Sequence, residues 1–150
     1  MTRKRSRPAA LVLAIAALAA GAGAPHAQPA TTPASAPPRL ELNKLEVDGQ
    51  NCRVYLMADN GKGEAYRSFK VDLFVLDTDG IVAKRVVLEL APLAAKKTVI
   101  RLFDIAAVPC SRFGRILLND VLACEAETGA RQNCLAETET TSKASVPLVK

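Results

Sequence analysis

From Leu40 onward, apolar and polar residues alternate with a period near two, the spacing of a strand with one face buried. Leu40 and Leu42 alternate with Glu41 and Asn43. The phase then slips, so that Leu45 and Val47 continue the apolar set, which predicts a bulge. Asp48-Gly49 supplies a turn. Cys52, Val54, Leu56 and Ala58 then point one way, and Arg53, Tyr55 and Met57 the other. Asp59-Asn60-Gly61-Lys62-Gly63 reads as a loop from its turn residues. The clearest strand sets Phe69, Val71, Leu73 and Val75 against Lys70, Asp72, Phe74 and Leu76. It ends in Asp77-Thr78-Asp79-Gly80, where Gly80 can take the positive φ that closes a hairpin. Residues 81–90 form the return strand, and Pro92 ends it because proline cannot donate to a ladder. Residues 98–103 form another short strand, with β-branched Val99 and Ile100.

Residues 116–124 are apolar on both faces apart from Asn119 and Asp120, as in a central strand. A helix competes here, since Phe113, Leu117 and Val121 are spaced by four; Gly114 weighs against it. A last strand is expected within 144–149. Six or seven short strands separated by turn signals predict an all-β fold, an antiparallel β-sandwich over residues 40–150. No strand is followed by a convincing crossover helix, which weighs against a parallel α/β sheet.

The chain ahead of this domain has another character. Residues 1–7 carry Arg3, Lys4, Arg5 and Arg7 and no acid, residues 9–20 are an unbroken apolar run, and Gly21-Ala22-Gly23-Ala24 follows. That order predicts a secretory signal peptide over 1–27, cleaved after Ala22, Ala24 or Ala27. The run falls short of the ~20 residues a membrane-spanning helix needs, which disfavours a permanent anchor. Lys4-Arg5 is a poor twin-arginine match, so the general secretory route is favoured over twin-arginine export. Residues 28–39 open with QPATTPASAPP, which has no charge and no large apolar residue. Such a segment buries too little to offset its ordering entropy, and is expected to be a disordered tether.

Charge changes meaning once the leader is set aside. The 150-residue chain has 20 Lys+Arg against 15 Asp+Glu, a net charge of +5. An excess of that kind suggests a nucleic-acid or anionic-membrane partner. The leader takes four of the 20 bases and none of the 15 acids, which leaves 16 against 15 and a net charge of +1. Nucleic-acid binding is therefore not expected, nor is stable membrane insertion after cleavage. The single histidine, His26, is removed or left beside the new N-terminus.

Phe69, the run VDLFVLDTDGIV at 71–82 and Leu90-Ala91-Pro92 resemble the centre of FxLYD-type immunoglobulin-like domains. Those carry an aromatic residue, an alternating strand, an Asp-containing turn with glycine, a second strand and Leu-x-Pro. They usually continue with glycine, where this chain has Leu93. The resemblance, over residues 69–92, implies an immunoglobulin-like form of the sandwich. The whole layout of leader, Pro/Ala tether, this hairpin, ILLNDVLAC and a short C-terminal strand also resembles small exported bacterial proteins labelled twin-arginine (Tat) pathway signal sequence domain proteins. That implies fold and compartment, and no activity.

Cys52, Cys110, Cys124 and Cys134 all lie in the exported part, and an even count in an exported domain predicts two disulfides. In an up-down succession, Cys52 starts the second strand and Cys110 precedes the sixth, at the same end of the sandwich. Cys124 ends the sixth strand, at the other end, with Cys134 ten residues on. The expected pairs are Cys52–Cys110 and Cys124–Cys134, since a Cys52–Cys124 bridge would have to cross the sandwich lengthwise. The spacings suit neither a C-x-x-C redox pair nor a zinc site.

Other chemistry is sparse. Asp77-Thr78-Asp79-Gly80 resembles the start of a calcium loop, but position twelve is Leu88 rather than glutamate, so a turn is expected. Glu125, Glu127, Glu137 and Glu139 flank the Cys124–Cys134 loop; a hairpin there could gather them around a cation, against the simpler expectation of a solvated acidic face. Asp120 in its apolar strand would need a partner, with Arg112, Arg115 and Arg101 as candidates. Without a histidine in the folded part there is no Ser-His or Cys-His pair. No S-x-x-K and no glycine-rich phosphate loop occur. The expectation is a periplasmic or secreted, non-catalytic module without cofactor or metal, binding another envelope protein through a sheet edge or end loops; the alternative is a periplasmic small-molecule or cation-binding protein.

Overall fold

A computed structural model describes residues 36–150. The expected signal peptide and all but the last residues of the expected tether lie outside the described residues. Pro37 and Pro38 are already buried against the domain, and the first strand starts at Arg39.

The fold is an all-β sandwich of two sheets packed together. The strands are β1 (Arg39–Asp48), β2 (Asn51–Asp59), β3 (Tyr66–Asp77), β4 (Val82–Glu89), β5 (Thr98–Ile105), β6 (Phe113–Ala126), β7 (Gly129–Ala130), β8 (Thr140–Ser142) and β9 (Leu148–Val149). A 3₁₀ turn spans Cys110–Arg112, and a single helical turn, α1, spans Cys134–Glu137. The first sheet runs β5-β2-β1-β8, and the second β4-β3-β6-β7 with β9 also on β6.

Alternation builds the core. Cys52, Val54, Leu56 and Ala58 of β2 are buried, and so are Phe69, Val71, Leu73 and Val75 of β3, the two rows read from the sequence. Leu40, Leu42, Ile116, Leu118 and Leu148 extend the same cluster. The phase slip in β1 is a real irregularity, with the register shifting between Leu42 and Lys44. Beyond it Leu45 is half-buried and Val47 exposed. β6 is a central strand, paired with β3 along its length. It accommodates extra residues at Gly114, Asn119 and Leu122, each of which adds twist. A Cβ on Gly114 would lie 2.2 Å from the carbonyl oxygen of Asp77, so only glycine permits that approach. The helix alternative for residues 116–124 is thereby replaced by an extended strand.

Three expectations need correction. The described residues form nine strands rather than six or seven. The sandwich is not wholly antiparallel, because β8 runs parallel to β1 and β9 parallel to β6. Of the last expected strand, 144–149, only Leu148–Val149 is paired. These additions are two- and three-residue pairings, too short to show a period in the sequence. Backbone hydrogen bonds hold them at their ends, such as the Leu40 N–H donating to the Glu139 carbonyl, the Lys143 N–H donating to the Leu42 carbonyl and the Ile116 N–H donating to the Pro147 carbonyl.

The turn after β3 is closed as expected. Gly80 has φ +81°, and the Asp77 carboxylate accepts the backbone N–H groups of Asp79 and Ile81. Asp77 acts here as a turn former and is also approached by Arg112 at 3.4 Å.

Both disulfides are present with the pairing expected from the strand ends. Cys52–Cys110 joins β2 to the 3₁₀ turn across 58 residues, and Cys124–Cys134 closes a loop of separation 10. The longer loop gives up more entropy when closed, so its bridge contributes more. Removing Cys52–Cys110 as a double Cys→Ser variant should cost about 4 kcal/mol, and removing Cys124–Cys134 about 3 kcal/mol. Urea unfolding at equal protein concentration measures both; a larger loss for the shorter loop would contradict the loop-entropy account.

Candidate functional site

The acidic loop does not assemble as a cation site. Among the described residues, no group of three or more His, Cys, Asp or Glu side chains could hold a metal ion. Glu125, Glu127, Glu137 and Glu139 are all exposed and are not gathered together. The hairpin that such a site would need is interrupted, because residues 134–137 coil into α1 and Glu137 turns to Arg131 at 3.2 Å. Arg131 is itself held by the Tyr66 hydroxyl at 3.1 Å and by Glu64. A depression of about 420 Å³ lies between β6 and this loop, edged by Asp120, Leu122, Glu125 and Arg131.

On the β3–β6 ladder at this level, the buried carboxylate is Asp72 rather than Asp120; Glu41 and Asp77 are buried elsewhere. Asp120 is half-buried and accepts the N–H of Val121, its own neighbour. Asp72, directly across the β3–β6 ladder from it, is 1% exposed. Arg85 of β4 grips Asp72 with two hydrogen bonds, at 2.8 and 3.1 Å, and Asn119 donates a third at 2.9 Å. The bulge at Asn119 is what brings that amide within reach. None of Arg101, Arg112 and Arg115 pairs with Asp120; Arg101 caps the Leu90 carbonyl instead. Hydrogen bonds from Arg85, then from Asn119, hold the Asp72 carboxyl below the usual carboxylate range against the opposing pull of burial.

The surface best suited to contact is the outward face of the first sheet. Tyr55 lies opposite Leu102, and Met57 opposite Ile100, in an unbroken β2–β5 register. Ile100 is 49% exposed and Leu102 54%, so these four side chains form one apolar patch. Charges ring it at one end. Arg53 spans Asp104 at 2.8 Å and Asp48 at 3.0 Å, and Lys44 pairs with Glu46 while lying 5.1 Å from the Tyr55 ring centroid. The Tyr55 hydroxyl donates to Glu46. At the other end Asp59 meets Arg39 and the Thr98 hydroxyl. The Arg53 hydrogen bond lowers the pKa of Asp104, and Lys44, then Tyr55, lower that of Glu46. Sequence reasoning placed Tyr55 and Met57 on the outward face but did not join them to Ile100 and Leu102. The available signal was that 98–103 is apolar in both phases, which leaves one set of apolar side chains outside.

Arg131, Arg85 and the sheet-face patch give the domain polar ties and an apolar surface. No protein-family model, curated protein or solved structure matches the chain. All four cysteines are bridged, a state that forms and persists in an oxidising, extracytoplasmic environment. No helix of the described residues is long and apolar enough to cross a membrane.

The ion pair at Asp72 has a definite pH signature. Its folded pKa is depressed, so the stability it contributes is present above the unfolded pKa and is lost as pH falls through the folded value. Asp72→Asn should therefore be less stable than the wild type at about pH 7, with the gap closing well below about pH 4. Thermal unfolding across that range measures it, and a gap of constant size down to the lowest pH would refute the assignment.

Proposed function

We propose that the chain is exported by its N-terminal leader and acts as a non-catalytic protein-interaction module of the cell envelope, periplasmic or secreted, with no cofactor. The observation that carries this reading is the patch of Tyr55, Met57, Ile100 and Leu102. An exposed apolar cluster rimmed by polar groups is the usual mark of a protein-binding surface. Its aromatic and methionine members are side chains enriched at interfaces. The leader and the paired cysteines support export. The near-neutral charge of the mature chain supports a protein partner over nucleic acid.

An immunoglobulin-like assignment belongs to the same proposal. It is supported by β1, β2 and β5 forming one sheet while β4, β3, β6 and β9 adjoin in the other. That division matches the strand allocation of immunoglobulin sandwiches in which the hairpin partner of the third strand stays on its sheet. The resemblance of residues 69–92 to FxLYD-type domains supports it independently.

A photo-crosslinking residue at Ile100, introduced in intact cells, should yield a reproducible adduct with another envelope protein. The same probe at exposed Lys143, just beyond the end of β8, should not. Absence of any Ile100-specific adduct would remove the interaction reading.

A further inference from the structure

β4 is the strand least covered by the rest of the fold. Every residue from Val82 to Arg85 is exposed; Val86 and Leu88, which face the core side, are only half-buried, and Val87 is 47% exposed on the other face. It is also the outer strand of its sheet. The Leu90 N–H donates to the Phe69 carbonyl, so Leu90, Leu88 and Val86 turn their backbone groups toward β3. By alternation, the N–H and C=O groups of Arg85, Val87 and Glu89 point outward, where no strand meets them.

Native sheets ordinarily blunt such edges. The other edges of this sandwich are blunted. β5 carries Arg101, which turns inward to the Leu90 carbonyl. β7, β8 and β9 are two or three residues long. The stretch of β6 between its pairings with β9 and β7 is broken by the bulges at Asn119 and Leu122. β4 has a bulge at Ala83, but from Lys84 to Glu89 its ladder is regular.

The sequence of that regular edge is Arg85-Val86-Val87-Leu88-Glu89. Laid antiparallel against itself about Val87, it sets Val87 opposite Val87, Val86 opposite Leu88, and Arg85 opposite Glu89 twice over. No like charges meet, and opposite charges face each other across the register, while Arg85 stays on Asp72 and Glu89 keeps the Ser68 hydroxyl and the N–H groups of Phe69 and Ala91 within each copy. The central pair would be hydrogen-bonded, because Val87 points its backbone outward.

We propose that β4 pairs edge to edge with β4 of a second copy, forming a two-fold symmetric dimer with a sheet continuous across both molecules. Charge complementarity selects a second copy as the occupant, since this edge is its own complement. The partner surfaces are the same patch on both molecules, the arrangement a closed dimer requires. About six backbone hydrogen bonds would cross the junction. The inference does not rest on the heterologous partner of the first sheet, which uses a different face.

The test uses the full chain, expressed with its leader and purified oxidised from a bacterial periplasm. The ladder is short, so dimerisation is concentration-dependent, and sedimentation over about 1–200 µM should show the mass rising toward twice the monomer. Val87→Lys puts two like charges opposite each other and should raise the dimer Kd by about tenfold or more, with the melting temperature of the monomer kept. Ile100→Lys should leave dimerisation unchanged. Val87→Cys brings two thiols to the symmetry axis at about the 5.5 Å Cα separation a disulfide accepts. It should run as a reducible dimer on oxidation, whereas Val47→Cys, at a more exposed site, should not. A wild type that stays monomeric at about 200 µM, a Val87→Lys protein that dimerises normally, or open assemblies larger than a dimer would each overturn the proposal. A monomeric result would leave the Ile100 crosslink free to succeed or fail on its own.

Discussion

Everything in this domain depends on the two-residue period of β2 and β3. Their inward rows, Cys52 to Ala58 and Phe69 to Val75, face each other across the sandwich and are buried. A slip of one residue would turn each row outward. The fold therefore needs devices that absorb extra residues without changing phase. The bulges in β1 and β6 do this, and the close approach at Gly114 lets β6 begin against the Asp77 turn without displacing it. Cys52–Cys110 then ties the start of one inward row to the turn that launches β6.

The same period explains how much could be read in advance. The core rows, the slip in β1, the Asp77–Gly80 turn and the disulfide pairing all follow from alternation, turn chemistry and strand ends. The misreadings share one cause: they depend on which strands become neighbours. Asp72 and Asp120 look alike in sequence, each an acid in the middle of an apolar stretch. Asp72 is buried because Arg85 comes from β4 and Asn119 from a bulge, and neither neighbour is visible along the chain. The acids of the Cys124–Cys134 loop keep to the simpler expectation of a solvated face; only the hairpin that would have gathered them is replaced, by one helical turn. β8 and β9 escape because pairings so short are products of tertiary contact rather than of local preference.

The outside of the sandwich is organised differently from the inside. Exposed ion pairs such as Arg53–Asp104 add little stability. Their role is geometric: they occupy the rim around Tyr55 and Leu102 and leave the apolar centre uncovered. Asp72, on the opposite sheet, is the most enclosed carboxylate among the described residues. Taking Arg85 away there would strand a buried carboxylate, which costs far more than a surface pair returns. Three strands, β3, β4 and β6, are thus locked by one carboxylate on the side facing away from the core.

The two parallel pairings also bear on how the domain would take a load. β1, which follows the expected tether, runs beside β8 in the same direction, and β9, at the other end of the described residues, runs beside β6 in the same direction. Tension drawn along β1 or β9 pulls across rows of hydrogen bonds that must fail together, instead of peeling them one at a time. A pull of that kind meets the domain in shear, with the Cys52–Cys110 bond as a covalent stop behind the first sheet.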